Sequence, residues 1–170
     1  DVADPFFQLV KDQLNATKEE FGENEEISEM FSFLESEESG EHTINIQLSK
    51  ENKTKGSGKK TTIDYNPLNW EEPDDFDKEA KGKRDPRIGL VHEMKHSSDH
   101  AKGRDPRAKV DWTYEDSDKV YLYSQFEARA LNIENILRKA LYGKTRATYN
   151  VLDENGKVIK IKPPKRYVRE

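Results

Sequence analysis

The segment "GLVHEMKHSSDH", residues 89–100, constrains the fold of this chain more than any other stretch. Its flanks predict a helix, because Asp85 can cap the start, Pro86 can occupy the first turn and Gly103 can end it. An apolar face is available for burial, formed by Leu90, Val91 and Met94. The fold must therefore cover one side of this helix with other elements of the chain.

The histidines of this helix have the spacing of a metal site. His92 and His96 lie four residues apart, so both imidazoles can be directed at one point on the same helix face. Glu93 lies one step round the helix, where its carboxylate can reach a water molecule without itself binding the metal. The HExxH pattern therefore predicts a hydrolytic zinc centre. The alternative is a surface helix with two solvated histidines.

Catalytic zinc commonly takes three protein ligands, so a third must come from elsewhere in the chain. Glu127 is the preferred candidate, because it lies near the start of a predicted helix and is followed by small residues that permit close approach. An ordinary helix-surface carboxylate is the other interpretation of Glu127. His100 lies in line with the two histidines on one helix, which closes poorly around a tetrahedral ion, and Asp99 and Asp111 are weaker candidates still. Glu134 lies on nearly the same face as Glu127.

Glu134 and the following Asn135 are predicted to act one step away from the metal. A carboxylate there can orient a ligating histidine through its other ring nitrogen. These two residues are therefore interpreted as supporting residues and not as ligands.

Composition restricts the class of protein. The 170 residues suit one domain with a lean core, since 37% are charged and 32% hydrophobic. The net charge of -5 argues against a nucleic-acid partner. There is no cysteine, so a metal must be held by histidine, carboxylate or water. No apolar run is long enough to span a bilayer. Because residue 1 is Asp, we expect a processed product or a domain of a longer protein.

Periodicity predicts an α+β fold. Apolar residues recur at helical spacing over 4–20 and 27–34. Residues 41–50 and 61–67 alternate apolar with polar residues, which predicts two strands of one antiparallel hairpin with a long, mobile tip. Residues 68–85 are interpreted as a loop that could wall a cleft.

The second half of the chain gives a long helix and a hairpin. Residues 104–120 show no clear period, and an apolar stripe predicts a helix from about Lys119 to Leu141. The Asn-Gly pair in 149–162 predicts a small C-terminal hairpin. We therefore predict a single domain over 1–170, with N-terminal helices over 1–36, a catalytic region over 40–150 and a hairpin and tail over 151–170.

The segments "IDYNP", "GLVHEMKH" and "EARALNIENILRKALYGKTRATY" together resemble the NleD-like effector zinc metallopeptidases, the zincin domain of injected effectors and Rhs-type polymorphic toxins. The similarity covers roughly residues 40–150. HExxH is shared by many families, so the discriminating residues are those of the second helix and its end: Glu127, Ala130, Asn132, Glu134, Asn135, Arg138, Arg146 and Tyr149. The chain departs from the family in having "EMKH" and "SSDH" where apolar residues are usual.

The resulting hypothesis is a zinc endopeptidase with a small zincin-like fold. His92, His96 and Glu127 would hold Zn²⁺, and Glu93 would act as general base and acid. Tyr149 or Arg146 could stabilise the oxyanion, although packing and surface charge explain both residues equally well.

The resemblance implies a toxin or effector that is secreted or injected and cuts a protein of a target cell. A target in bacteria would imply a cognate immunity protein as partner.

Two other interpretations remain open. The first is a non-enzymatic interaction domain stabilised by a structural metal, for which a closed site including His100 would be expected. The second takes the repeated "RDPR" at 84–87 and 104–107 as a nucleic-acid surface. Two Asp-Pro turns or helix starts with solvated flanks explain this repeat more simply.

Overall fold

Helices and strands both occur in the chain, which confirms the predicted α+β class. A computed structural model describes residues 4–36, 42–67 and 84–165. The chain forms two compact units, Asp1–Arg104 and Asp105–Glu170, and each is described by itself. That the two form one domain over 1–170 stays a prediction.

The first unit opens with two helices that were both predicted. Helix α1 spans Pro5–Phe21, and the Asp4 side chain caps it by accepting a hydrogen bond from the amide of Phe6. Helix α2 spans Glu25–Glu35, capped by Asn24. The apolar stripes of the two helices supply buried side chains, which are Val10, Phe21, Ile27, Met30 and Phe31.

The sheet of the first unit differs from the predicted hairpin. Strands β1 (Thr43–Leu48), β2 (Lys53–Ser57) and β3 (Lys60–Tyr65) lie in the order β1-β3-β2. Strand β1 pairs with β3 in parallel, and β2 pairs with β3 antiparallel. The prediction that 41–50 and 61–67 form an antiparallel hairpin is therefore wrong.

The stretch that was predicted as a mobile tip forms β2 and its turn. Gly56 and Gly58 have positive φ angles of 96° and 58°, which glycine adopts without the steric cost of a Cβ. The chain can therefore reverse tightly into β3, and β2 takes the edge of the sheet on the far side of β3 from β1.

Helix α3 spans Pro86–Ala101 and packs against β2, β3, α1 and α2. Asp85 caps it, Pro86 is its first residue, and Gly103 follows its end with a φ of 71°, as predicted. Gly89 permits a close approach, because a Cβ there would meet Asn52 Nδ2 at 2.7 Å. The connection between β1 and β2 therefore lies directly against the helix that carries the histidines.

The second unit begins with two strands that were not predicted. Strand β4 (Lys109–Tyr114) pairs antiparallel with β5 (Val120–Ser124). Helix α4 then spans Gln125–Tyr142 and ends at Gly143 in the left-handed conformation. The prediction that this helix starts near Lys119 is wrong, because residues 120–124 alternate side chains across a sheet instead.

The predicted C-terminal hairpin is confirmed. Strands β6 (Tyr149–Leu152) and β7 (Val158–Lys162) pair antiparallel, and β7 also pairs with β4, giving the order β5-β4-β7-β6. One buried cluster of this unit joins the sheet to α4 and consists of Val110, Trp112, Ala128, Leu131, Val151 and Ile161.

Parts of the sequence-based prediction fall outside this description. Residues 68–83 of the predicted cleft loop and residues 166–170 of the tail lie outside the described residues. None of the helices in the described ranges has the length and apolar character needed to cross a membrane.

Candidate metal centre

His92 and His96 converge as their spacing on α3 predicts. Their Nε2 atoms are 3.1 Å apart, and their rings are nearly perpendicular, with an interplanar angle of 87°. His96 is buried and His92 is half-buried. Two ring nitrogens thus face one point beside α3.

Glu127 lies in the first turn of α4. Ser124, the last residue of β5, caps the helix by accepting a hydrogen bond of 3.2 Å from the Glu127 amide. The unpaired amides of a helix start favour a negative charge, so this position suits an ionised carboxylate. The half-buried Glu127 carboxylate is therefore a candidate ligand for a cation.

These three residues form a group that could hold a metal ion. The ligand atoms of His92, His96 and Glu127 all lie within 4.8 Å of one another. Two imidazoles and one carboxylate are a donor set of catalytic zinc sites. With zinc–nitrogen bonds of about 2.0–2.1 Å and tetrahedral angles, two ring nitrogens lie about 3.3 Å apart. The observed 3.1 Å separation of the Nε2 atoms therefore fits such an ion.

The weaker ligand candidates do not join this group within the described ranges. Asp99 is fully buried, with Arg104 Nη1 at 3.0 Å and Lys95 Nζ at 3.7 Å. Asp111 is exposed on β4. Burial lowers the pKa of His100, and a charge on His96 would lower it further.

Glu93 contacts a residue that the sequence did not identify. The Thr54 hydroxyl lies 2.7 Å from Glu93 Oε2 and 3.0 Å from the Glu93 carbonyl oxygen. Glu93 is buried, with 6% of its surface exposed. Strand β2 therefore contributes a hydrogen-bond donor to the carboxylate of the HExxH pattern.

Tyr149 contacts the predicted glutamate ligand. Its hydroxyl donates a hydrogen bond of 3.0 Å to Glu127 Oε2. Burial raises the pKa of the Tyr149 phenol far above its ordinary value, and the negative charge of Glu127 raises it further. Tyr149 therefore stays protonated and remains a hydrogen-bond donor at physiological pH.

Arg146 is fixed against the same aromatic ring. Its guanidinium carbon lies 4.9 Å from the Tyr149 ring centroid, and its Nε donates to the Thr148 carbonyl. The Asn135 side chain accepts from the Arg146 amide at 2.7 Å and donates to the Arg146 carbonyl at 2.9 Å. The Asn135 side chain thus pairs with both the backbone N–H and the backbone C=O of Arg146.

Glu134 is buried and paired with two arginines. Arg138 Nε lies 2.7 Å from Glu134 Oε1, and both side chains are buried. Arg146 Nη1 lies 3.8 Å from the same oxygen. Helix α4 thus carries Glu127 near its start and a buried ion pair about two to three turns further on.

Two features of this region have a sequence signal that could have been recognised. "SQFE" at 124–127 has the Ser-x-x-Glu pattern of a helix start, which places the beginning of α4. In "KTKGS" a single threonine lies between exposed lysines, which is the alternation of a strand. The contact between Thr54 and Glu93 itself has no signal in the sequence, because it depends on how β2 packs against α3.

The family model Peptidase_M91, described as "Effector protein", matches residues 7–149. The chain therefore belongs to a peptidase family of effector proteins. This is the NleD-like family that the motifs of α3 and α4 resemble, and the match also includes α1 and α2, which the resemblance over 40–150 left out. No curated protein and no solved structure matches the chain.

Proposed function

We propose that the chain is a zinc endopeptidase of zincin type that cleaves a protein of a target cell. The observation that carries the proposal is the convergence of His92, His96 and Glu127, whose ligand atoms lie within 4.8 Å of one another. Membership of a peptidase family supports hydrolysis of a peptide bond over other metal chemistry.

The side chains of His92, His96 and Glu127 would hold Zn²⁺ and leave a fourth position open for solvent. A zinc ion bound there supplies a Lewis acid that polarises the scissile carbonyl and lowers the pKa of nearby water. Glu127 would offer its carboxylate to the metal, and its Oε2 also accepts the hydrogen bond from Tyr149.

Glu93 would act as general base and then as general acid. Its carboxylate takes the proton of the attacking water and passes it to the nitrogen of the leaving amine, so the proton is returned in each turnover. The geometry that supports this role is the position of Glu93 next to His92 on α3, with its carboxylate buried and hydrogen-bonded by Thr54.

Tyr149 and Arg146 would stabilise the oxyanion that develops on the scissile carbonyl. The raised pKa of Tyr149 keeps its phenol protonated, which an oxyanion donor requires. Its hydroxyl currently donates to Glu127, so the same proton would be redirected in the transition state. Arg146 carries a permanent charge beside the Tyr149 ring.

Glu134 and Asn135 would support the centre without binding the metal, through their contacts with Arg146. Asn135 holds the Arg146 backbone, and Glu134 lies close to the Arg146 guanidinium. Orientation of a histidine ring by Glu134 stays a prediction.

The biological role that we propose is that of a delivered toxin or effector, secreted or injected into a target cell. The effector description of the family supports this role. A bacterial target would require an immunity protein in the producing cell, whereas a eukaryotic target would not.

The test is N-terminal profiling of target-cell lysate treated with wild-type protein or with Glu93→Ala. We expect new N-termini with wild-type protein that disappear with Glu93→Ala, while both bind one zinc ion. The exposed Glu51→Ala variant is the matched control and should cleave like wild type. An active Glu93→Ala protein would refute the mechanism. A protein that binds zinc in a closed four-ligand site and cuts nothing would favour a metal-stabilised interaction domain.

A further inference from the structure

The carboxylate of Glu93 is held from outside its own helix by a residue of the edge strand β2. We propose that Thr54 is a positioning residue for the reaction: its hydroxyl holds Oε2 of Glu93 and leaves Oε1 to take the proton of the attacking water. This inference rests on the proposed function and adds a residue that the HExxH pattern does not contain.

The distances favour the carboxylate as the acceptor of the Thr54 proton. The hydroxyl has one proton and two acceptors within reach, Glu93 Oε2 at 2.7 Å and the Glu93 carbonyl oxygen at 3.0 Å. A hydroxyl bound to a carboxylate lies at about 2.5–2.7 Å, because the charge strengthens the bond. The shorter contact is therefore the main one, and the carbonyl contact keeps the hydroxyl over the helix.

Burial makes this hydrogen bond hard to replace. Only 6% of Glu93 is exposed, so bulk water has little access to the oxygen that Thr54 binds. A glutamate side chain has three rotatable bonds, and a single contact at its end removes most of that freedom. Without Thr54, we expect the carboxylate to sample orientations that do not reach the attacking water.

The backbone that carries Thr54 is fixed by the pairing of its strand and by contacts of a nearby residue. Across the sheet it pairs with Ile63 of β3, which is fully buried, and its β-branched side chain has few rotamers. Two residues earlier, Asn52 lies against Gly89 of α3 and accepts a hydrogen bond of 2.9 Å from the Asn66 amide. The hydroxyl is therefore presented to α3 from a fixed backbone.

If Thr54 had only a structural role, its hydrogen bond to α3 would matter for stability in the same way as other hydrogen bonds between the sheet and this helix. Thr61 of β3 provides the comparison, because its hydroxyl donates to Ser97 Oγ on α3 at 2.9 Å. Replacing Thr61 by valine removes a buried hydroxyl contact to the same helix without touching Glu93. Thr61→Val is thus the matched control for Thr54→Val.

The experiment measures kcat and KM for wild type, Thr54→Val, Thr54→Ser and Thr61→Val, all loaded with one zinc ion. The substrate is a quenched fluorescent peptide spanning the site that N-terminal profiling identifies. We expect Thr54→Val to lower kcat about 10- to 100-fold with KM within about threefold of wild type. Thr54→Ser should recover most of the lost kcat, and Thr61→Val should keep the wild-type kcat.

The outcomes separate this inference from the proposed function. An active wild type with a Thr54→Val variant that keeps its kcat, or that loses no more than Thr61→Val, overturns the positioning role alone. A wild type without zinc-dependent cleavage overturns the proposed function and the positioning role together. A crystal structure of Thr54→Val gives a readout without turnover: we expect the Glu93 carboxylate in a new rotamer, and an unchanged rotamer contradicts the inference.

Discussion

The Tyr149 hydroxyl donates a hydrogen bond of 3.0 Å to Oε2 of Glu127, so the proposed metal ligand is held by a residue of another element of its own unit. Tyr149 begins β6, whereas Glu127 lies in the first turn of α4. Hydrogen bonds of this kind fix the orientation of a ligand and raise the affinity of a site for its metal.

Removal of this hydroxyl should weaken zinc binding. We expect Tyr149→Phe to lower zinc affinity about tenfold, because Glu127 loses the contact that orients it. Competition with a chromophoric chelator measures the change. Tyr121→Phe removes a hydroxyl from the neighbouring aromatic cluster and should leave the affinity unchanged. Equal affinity of Tyr149→Phe and wild type would show that Glu127 does not depend on Tyr149.

Metal removal should lower the stability of the folded chain. Zinc at about 100 times its Kd stabilises the protein that binds it by about 2.7 kcal/mol. We therefore expect the chelator EDTA to lower the Tm of wild type but not that of His96→Ala. Differential scanning calorimetry checks this expectation, and a wild-type Tm that is insensitive to both zinc and EDTA would contradict the metal centre.

The buried ion pair of α4 should matter for folding. Arg138 is fully buried and Glu134 nearly so, so Glu134→Gln leaves a guanidinium with a weaker partner in the interior. We expect a loss of about 3 kcal/mol in the free energy of unfolding, measured by urea denaturation. Glu154→Gln in the exposed turn between β6 and β7 is the control. If Glu134→Gln and Glu154→Gln have the same free energy of unfolding within error, the ion pair does not contribute to stability.

The first unit should show a pH dependence that traces to Asp64. Hydrogen bonds from Lys55 and Gln47 hold the pKa of the Asp64 carboxyl below its ordinary value of 3.8. The stabilisation is therefore fully present above pH 4 and is lost as the pH falls through the lower folded value. We expect wild type to be more stable than Asp64→Asn at pH 7, with the difference shrinking below pH 4. Asp116→Asn in the exposed β4–β5 turn is the control.

The parts of the fold that follow from local chemistry could be predicted from the sequence. The caps Asp4 and Asp85 and the turn at Gly156 each depend on a few neighbouring residues. The convergence of His92 and His96 likewise follows from helix geometry alone. The family resemblance rested on three segments, of which α4 and its end are the most discriminating, and the family model confirms it.

The errors arose where distant residues decide the structure. The parallel pairing of β1 with β3 depends on β2 occupying the far edge, and nothing in the alternation of either strand specifies a direction. Val120 and Tyr123 fit a helical stripe as well as a strand, and the pairing of β5 with β4 settles the choice. The contact between Thr54 and Glu93 is of the same kind.

Strand β5 passes into α4 without a linker, because Ser124 is both the last strand residue and the helix cap. One residue inserted at this junction would rotate Glu127 by about 100° around the helix axis. The turn at 115–119 has no such constraint, since it lies at the opposite end of β5. Natural insertions and deletions among relatives should accordingly collect in that turn and spare the spacing from 120 to 127.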